Sequence, residues 1–220
     1  MPRVVAVAVA GAAGLAFALL SAWIAERGSA VPWVDESIHR WALDSRGPVT
    51  VRIANDLRWA GVTAVVLPIL VPVGAAAAPP GSRWTLRLRY GLLLGAVAGA
   101  GVLAEIGINH AIGRARPPAS SWAGLASGGS YPSGHATNVT LFALGCAWAC
   151  ASRVRPGWPR RAAWAGAAVY AGAVGWSRVW LGVHWPTDVA GGWLFGLTWM
   201  AGAAALAGGQ TRRQRASHRP

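Results

Sequence analysis

Lysine is absent from this 220-residue chain, and acids are scarce: seven Asp and Glu stand against 20 basic residues, all of them arginine. Charged residues make up only 12%, against about 25% in ordinary soluble domains. The few scattered acids offer no cluster of hard oxygen ligands, so neither a metal nor a cofactor is expected. Only two cysteines occur, Cys146 and Cys150, four apart in an apolar run. That is no disulfide framework and no metal pair with partners; small helix-packing residues are the simplest reading. No internal repeat, long linker or second domain is visible. What fills the chain instead is hydrophobic: 54% apolar residues and a mean hydropathy of +0.39 exclude disorder and argue against an ordinary soluble protein. Fourteen tryptophans fit rings placed at membrane–water boundaries. A net charge of +13 would point to nucleic acid in a soluble protein. Here the hydrophobicity overrides that, and the lipid bilayer, not nucleic acid, is the expected partner.

Crossing the hydrocarbon core takes about 20 apolar residues in a helix. Six stretches qualify as candidates: 4–25, 59–78, 90–108, 134–151, 162–176 and 189–208, the fifth being short and extendable through 179–183. The first is read as an uncleaved anchor, because its apolar run exceeds a signal-peptide core and Trp23 sits badly in a small-residue cleavage site. Glycines four apart at Gly91, Gly95 and Gly99, and at Gly192 and Gly196, would let helices approach closely. The fold expected is an all-α membrane protein: a six-transmembrane helix bundle over residues 1–210, followed by a basic cytoplasmic tail, 211–220.

Arginine placement orients the bundle. With both termini in the cytoplasm, twelve arginines fall inside and eight outside, and six of the seven acids lie in outer segments. The positive-inside rule favours that arrangement. The same topology gathers three polar segments on the outer side: Asn109 to Pro117 with Arg114 and Arg116, then Pro132-Ser133-Gly134-His135, then Ser177-Arg178 through His184 to Asp188.

Such a group is equipped for an anion. Arg116 and Arg178 carry planar forks matched to phosphate oxygens. Ser133 and Gly134 open a helix, whose free N–H groups favour negative charge. His135 and His184 can divide nucleophile and general-acid roles, and Asp188 can orient one imidazole. The residues alone do not say which histidine is the nucleophile.

At these positions the chain resembles the type-2 phosphatidic acid phosphatase family, membrane-bound relatives of the vanadium haloperoxidases. The family pattern runs Lys-x6-Arg-Pro, Pro-Ser-Gly-His, Ser-Arg-x5-His-x3-Asp. The second element is intact at Pro132–His135, and the third at Ser177, Arg178, His184 and Asp188. The first is present at Arg116-Pro117, with Asn109 where the family has Lys. The resemblance implies metal-independent hydrolysis of a lipid phosphate or diphosphate, such as a polyprenyl diphosphate, phosphatidic acid or phosphatidylglycerol phosphate, and the arginine placement puts that site at the extracytoplasmic face. It further implies that His184 forms a phosphohistidine, that His135 protonates the leaving oxygen and that Asp188 orients His184. Arg116, Ser133, Gly134 and Arg178 would hold the phosphoryl oxygens. Asn109 would contribute a neutral donor, and Arg114 part of the missing charge. The alternatives are a lipid phosphotransferase using the same phosphohistidine and a non-enzymatic anionic-lipid transporter.

Several polar residues have plainer readings. His39 is expected to be structural, within an interfacial helix of the loop 32–58, and His110 likewise structural. Glu105, one turn before Asn109, is either a partner for an active-site arginine or a protonated structural acid. Trp122, Trp180 and Trp185 are expected as interfacial anchors.

Overall fold

A computed structural model describes residues 3–216, which form eight α-helices and two single turns of 3-10 helix. Six helices overlap the six apolar stretches. They are α1 (Arg3–Arg27), α4 (Thr63–Ala77), α5 (Trp84–Ile112), α6 (Gly134–Ala151), α7 (Trp158–Trp180) and α8 (Pro186–Ala216). Two shorter ones, α2 (Trp33–Ser45) and α3 (Pro48–Arg58), fill the first long loop. α8 carries on into the basic segment expected as a tail, whose last four residues, 217–220, lie outside the described residues.

Among the described helices α1, α5 and residues 186–207 of α8 are each long and apolar enough to cross a membrane. α3 and α4, bent by 52° at the turn Trp59–Gly61, together make a fourth. α6 and α7 fall outside this group for a local reason. α6 carries His135 in its first turn and Thr137, Asn138 and Thr140 within the bundle, where they find partners. Asn138 donates to the Gly61 carbonyl and to Thr63, so the polar face of α6 pins the α3–α4 bend. α7 carries arginines in its first turns and Arg178 in its last.

α6 is the central helix, packed against α4, α5, α7 and α8. Small residues permit this. A Cβ at Gly192 would stand 2.7 Å from the Ser133 carbonyl oxygen, and one at Gly196 would stand 2.8 Å from Thr140 Cβ. α6 and α8 therefore meet backbone to backbone, as the glycine spacing predicts. Fully exposed tryptophans mark helix starts, with Trp33, Trp84 and Trp158 beginning α2, α5 and α7. Exposed rings at helix starts suit a membrane–water boundary, the place expected for Trp122, Trp180 and Trp185. Trp185, expected among them, is buried instead and donates through its indole to the Ala115 carbonyl at 3.0 Å.

Candidate active site

Four helix ends converge at one end of the bundle. α5 stops at Gly113, whose φ of 59° is a left-handed cap that glycine adopts without strain. The chain then loops to α6, α7 ends at Trp180, and α8 begins at Pro186. The Ser133 N–H donates to the Asp188 carbonyl at 2.9 Å, so the Pro-Ser-Gly-His turn and the first turn of α8 are tied directly. Ser133 is the N-cap of α6, its side chain accepting from the Ala136 N–H.

His184 lies in the short turn between α7 and α8 and is buried. Its Nε2 is 2.8 Å from Arg116 Nη1. A guanidinium only donates, so Nε2 is the unprotonated nitrogen and the ring proton sits on Nδ1. Nδ1 faces Asp188 Oδ2 at 3.5 Å and has no hydrogen-bond partner within normal range. Burial pushes the His184 imidazolium down to about 4, with Asp188 opposing and Arg116 adding to the effect. The imidazole is therefore neutral near pH 7, with its lone pair on the nitrogen that meets Arg116.

The two motif arginines differ. Arg116 uses all five of its donors: Nε to the Gly128 carbonyl, Nη2 to those of Ser127 and Gly129, and Nη1 to Val183 and to His184. It shapes the loop and caps the histidine at once. Arg178 is 1% exposed, yet only Nη2 is engaged, by the Leu125 carbonyl at 3.2 Å. Its Nε and Nη1 are buried without partners. Buried guanidinium donors left open are costly and rare, and mark the place where an anion fits. His135, on the first turn of α6, has its ring against Gly61, where a Cβ would meet its Cδ2 at 3.0 Å.

Arg114 is placed differently from the sequence-based expectation. Its guanidinium is gripped by two buried carboxylates: Nη1 donates to Asp188 Oδ1 and Nη2 to Asp35 Oδ2, both at 2.6 Å. Nη1 also donates to Thr187 Oγ1 at 2.8 Å. It therefore braces the Asp188 carboxylate. Asp35, on α2, is the residue that sequence reasoning passed over. It accepts from the Thr187 N–H at 2.9 Å and from the Thr187 hydroxyl at 2.6 Å. Asp188 completes its shell with Ser130 Oγ and the Trp185 N–H. Asn109 too faces the loop: its amide donates to the carbonyls of Gly129 and Pro132, each at 3.2 Å. Glu105 is buried with its carboxylate against Gly134, its oxygens 3.4 and 3.5 Å from where a Cβ would stand. His39 packs on the Trp185 ring, 5.1 Å between centroids.

The family profile described as the PAP2 superfamily matches residues 89–212. The chain belongs to the PAP2 superfamily. Phosphatidylglycerophosphatase B of Bacillus subtilis is 32% identical over 190 residues, covering 83% of this chain and 87% of that protein. Shorter stretches match the Escherichia coli protein YbjG, at 43% over 70 residues, and an undecaprenyl-diphosphatase of Sulfolobus acidocaldarius, at 40% over 72 residues. Each of these stretches spans 30% of the relative's length. A crystal structure titled as the first transmembrane PAP2-type phosphatidylglycerolphosphate phosphatase, from Bacillus subtilis, superposes with a TM-score of 0.76 at 29% identity. It covers 89% of this chain and 95% of that one. This PAP2 protein is thus an all-helical membrane protein of a known fold.

Proposed function

We propose that the chain hydrolyses a lipid phosphate or diphosphate through a phosphohistidine on His184, without a metal. The observation that carries this reading is the pairing of a neutral, buried His184 with the open donors of Arg178. Substrate phosphate displaces Arg116 Nη1 from His184 Nε2 and takes donors from Arg116, Arg178 and the N–H groups that open α6. The freed lone pair attacks phosphorus. A nitrogen–phosphorus bond forms and the bond to the leaving oxygen breaks, with His135 donating a proton to that oxygen. Asp188 draws closer to Nδ1–H as the ring becomes positive. Water then attacks the phosphohistidine and gives a proton back to His135; the nitrogen–phosphorus bond breaks, inorganic phosphate leaves and His184 returns to its neutral form.

The same reading has six spans, both termini cytoplasmic and the site outside. It is supported by the arginine asymmetry and by the convergence of all three motifs at one end of the bundle. The test uses purified protein in detergent with a lipid phosphate and excess chelator. Phosphate release is expected, abolished in His184→Ala, with acid-labile label on His184 during turnover. Full activity in that variant, or a strict divalent-ion requirement, overturns the mechanism. A cysteine placed in the 119–130 loop should react with an impermeant thiol reagent in intact cells; protection there overturns the orientation.

A further inference from the structure

Charge does not balance around the reaction centre. Arg114 is matched by two carboxylates, whereas none of the ion pairs among the described residues involves Arg58, Arg116 or Arg178. Arg58 belongs to none of the family motifs. It ends α3, its guanidinium is stacked 4.6 Å from the Trp59 ring centroid, and its Nε is buried without a partner. The stack holds it in place, and three residues on Gly61 abuts the His135 ring. Arg58 is within electrostatic reach of His135 and Arg178, while the charges acting on His184 are those of Arg116, Arg178 and Asp188. Gly61 sets this turn against His135, so Arg58 stands on the His135 side of the site.

That side is where the leaving group sits in the mechanism above. A protonated alcohol leaving group is neutral and offers a guanidinium no charge to pair with. A phosphate leaving group keeps its charge, and a diphosphate brings more negative charge than a monophosphate to a site with three unpaired arginines. The apolar groove between α3 and α7 begins here too. Ile53 and Leu57 line one wall, and Trp176 and Ser177 line the other. A lipid chain lying in this groove would pass the residues that precede Arg58 and Arg178 in the chain.

Resting on the phosphatase reading, we infer that Arg58 holds the inner phosphate of a lipid diphosphate, making this residue the determinant of diphosphate preference. His184 Nε2 attacks the outer phosphorus. The bond from that phosphorus to the bridging oxygen breaks, and its electron pair stays on the oxygen, now part of a lipid monophosphate held by Arg58. Water cleaves the phosphohistidine and releases inorganic phosphate. Because a phosphate monoester is a weaker base than an alkoxide, His135 matters less for this substrate.

The test compares farnesyl diphosphate with farnesyl monophosphate, identical in chain, on the full-length protein in detergent. In Arg58→Gln, kcat/KM for the diphosphate should fall about 10- to 100-fold, the loss of one charge-assisted contact, and the diphosphate-to-monophosphate ratio should fall at least about 10-fold. Arg58→Lys should recover part of the ratio, since a point charge remains. On the unaltered protein, methylenediphosphonate should inhibit monophosphate turnover at concentrations at least about 10-fold below phosphate. A parallel fall on both substrates, or equal inhibition by the two anions, overturns the assignment of Arg58 while leaving the phosphatase reading standing. Wild-type protein that cleaves neither substrate defeats that reading and this inference with it.

Discussion

Replacing Arg114 with Met tests whether this arginine works behind Asp188 or on the substrate. The side chain is almost fully buried and lies 2.6 Å from each of two fully buried carboxylates. Methionine keeps much of the volume and removes all charge. Breaking a buried pair by deleting one partner costs about 3–5 kcal/mol, because the remaining charge is left uncompensated. Here both carboxylates keep some support. Asp35 retains the Thr187 N–H and hydroxyl, and Asp188 retains Ser130 and the Trp185 N–H. The lower end, about 3 kcal/mol, is therefore expected. With Asp188 no longer fixed, kcat should fall roughly 10- to 100-fold, the usual size for a group that orients a catalytic side chain. Adding Asp35→Asn to Arg114→Met should restore at least about 1 kcal/mol, since one orphaned charge goes. The assay is thermal inactivation in detergent alongside kcat and KM for phosphate release. Wild-type stability with a raised KM and unchanged kcat would refute this reasoning and put Arg114 on the phosphate after all.

Other perturbations separate the remaining roles. His184 is held at about 4, below the usual histidine value of 6.5, so the nucleophile stays neutral from pH 7 down to about pH 5. The acid limb of kcat/KM should appear near pH 4, and a limb at 6–7 would contradict a buried neutral imidazole. The same shift has a consequence for stability. Between pH 6.5 and about 4 the unfolded chain takes up a proton at His184 that the folded chain refuses, so this residue's contribution is lost progressively as pH falls through that window. Asn109→Ala removes two donors to the 129–132 loop and should cost about 1–2 kcal/mol of stability. Asn109→Lys should retain activity, because an ammonium can donate to the same carbonyls; a dead Asn109→Lys would give the amide its own role. Gly192→Ala should cost about 1–3 kcal/mol and lower kcat, since its Cβ would press on the Ser133 carbonyl at 2.7 Å. Gly202→Ala, with nothing within 4 Å, should be neutral or stabilising by up to about 1 kcal/mol.

The contrast between Arg114 and Arg58 explains where sequence reading reached its limit. Spacing rules carry information only along one element. They located α6 to the residue, because Ser133 is a cap and the apolar run begins after it, and they brought Ser177, Arg178, His184 and Asp188 to the junction of two helices. The close approach of α6 and α8 was legible for the same reason, in glycines four apart. Charge matching across the fold is a different matter. Arg114 lies 79 positions from Asp35 and 74 from Asp188, and within its own loop it is indistinguishable from a second phosphate-binding arginine. Asp35 reads as one acid among several on the polar helix α2, because nothing nearby says that its carboxylate is completely buried. Arg116 shows the complementary case: its motif position is unmistakable, and four backbone carbonyls and His184 occupy its donors until a substrate displaces them. Only the three-dimensional count of donors separates an arginine that braces the loop from arginines still waiting for an anion. That count leaves Arg178 and Arg58 with open nitrogens, one from a motif and one from none. An enzyme that must discriminate between lipid phosphates sharing the same reacting group has reason to draw its discriminating residue from outside the motifs. Those motifs carry the shared chemistry, while Arg58, at the end of α3, lies outside them.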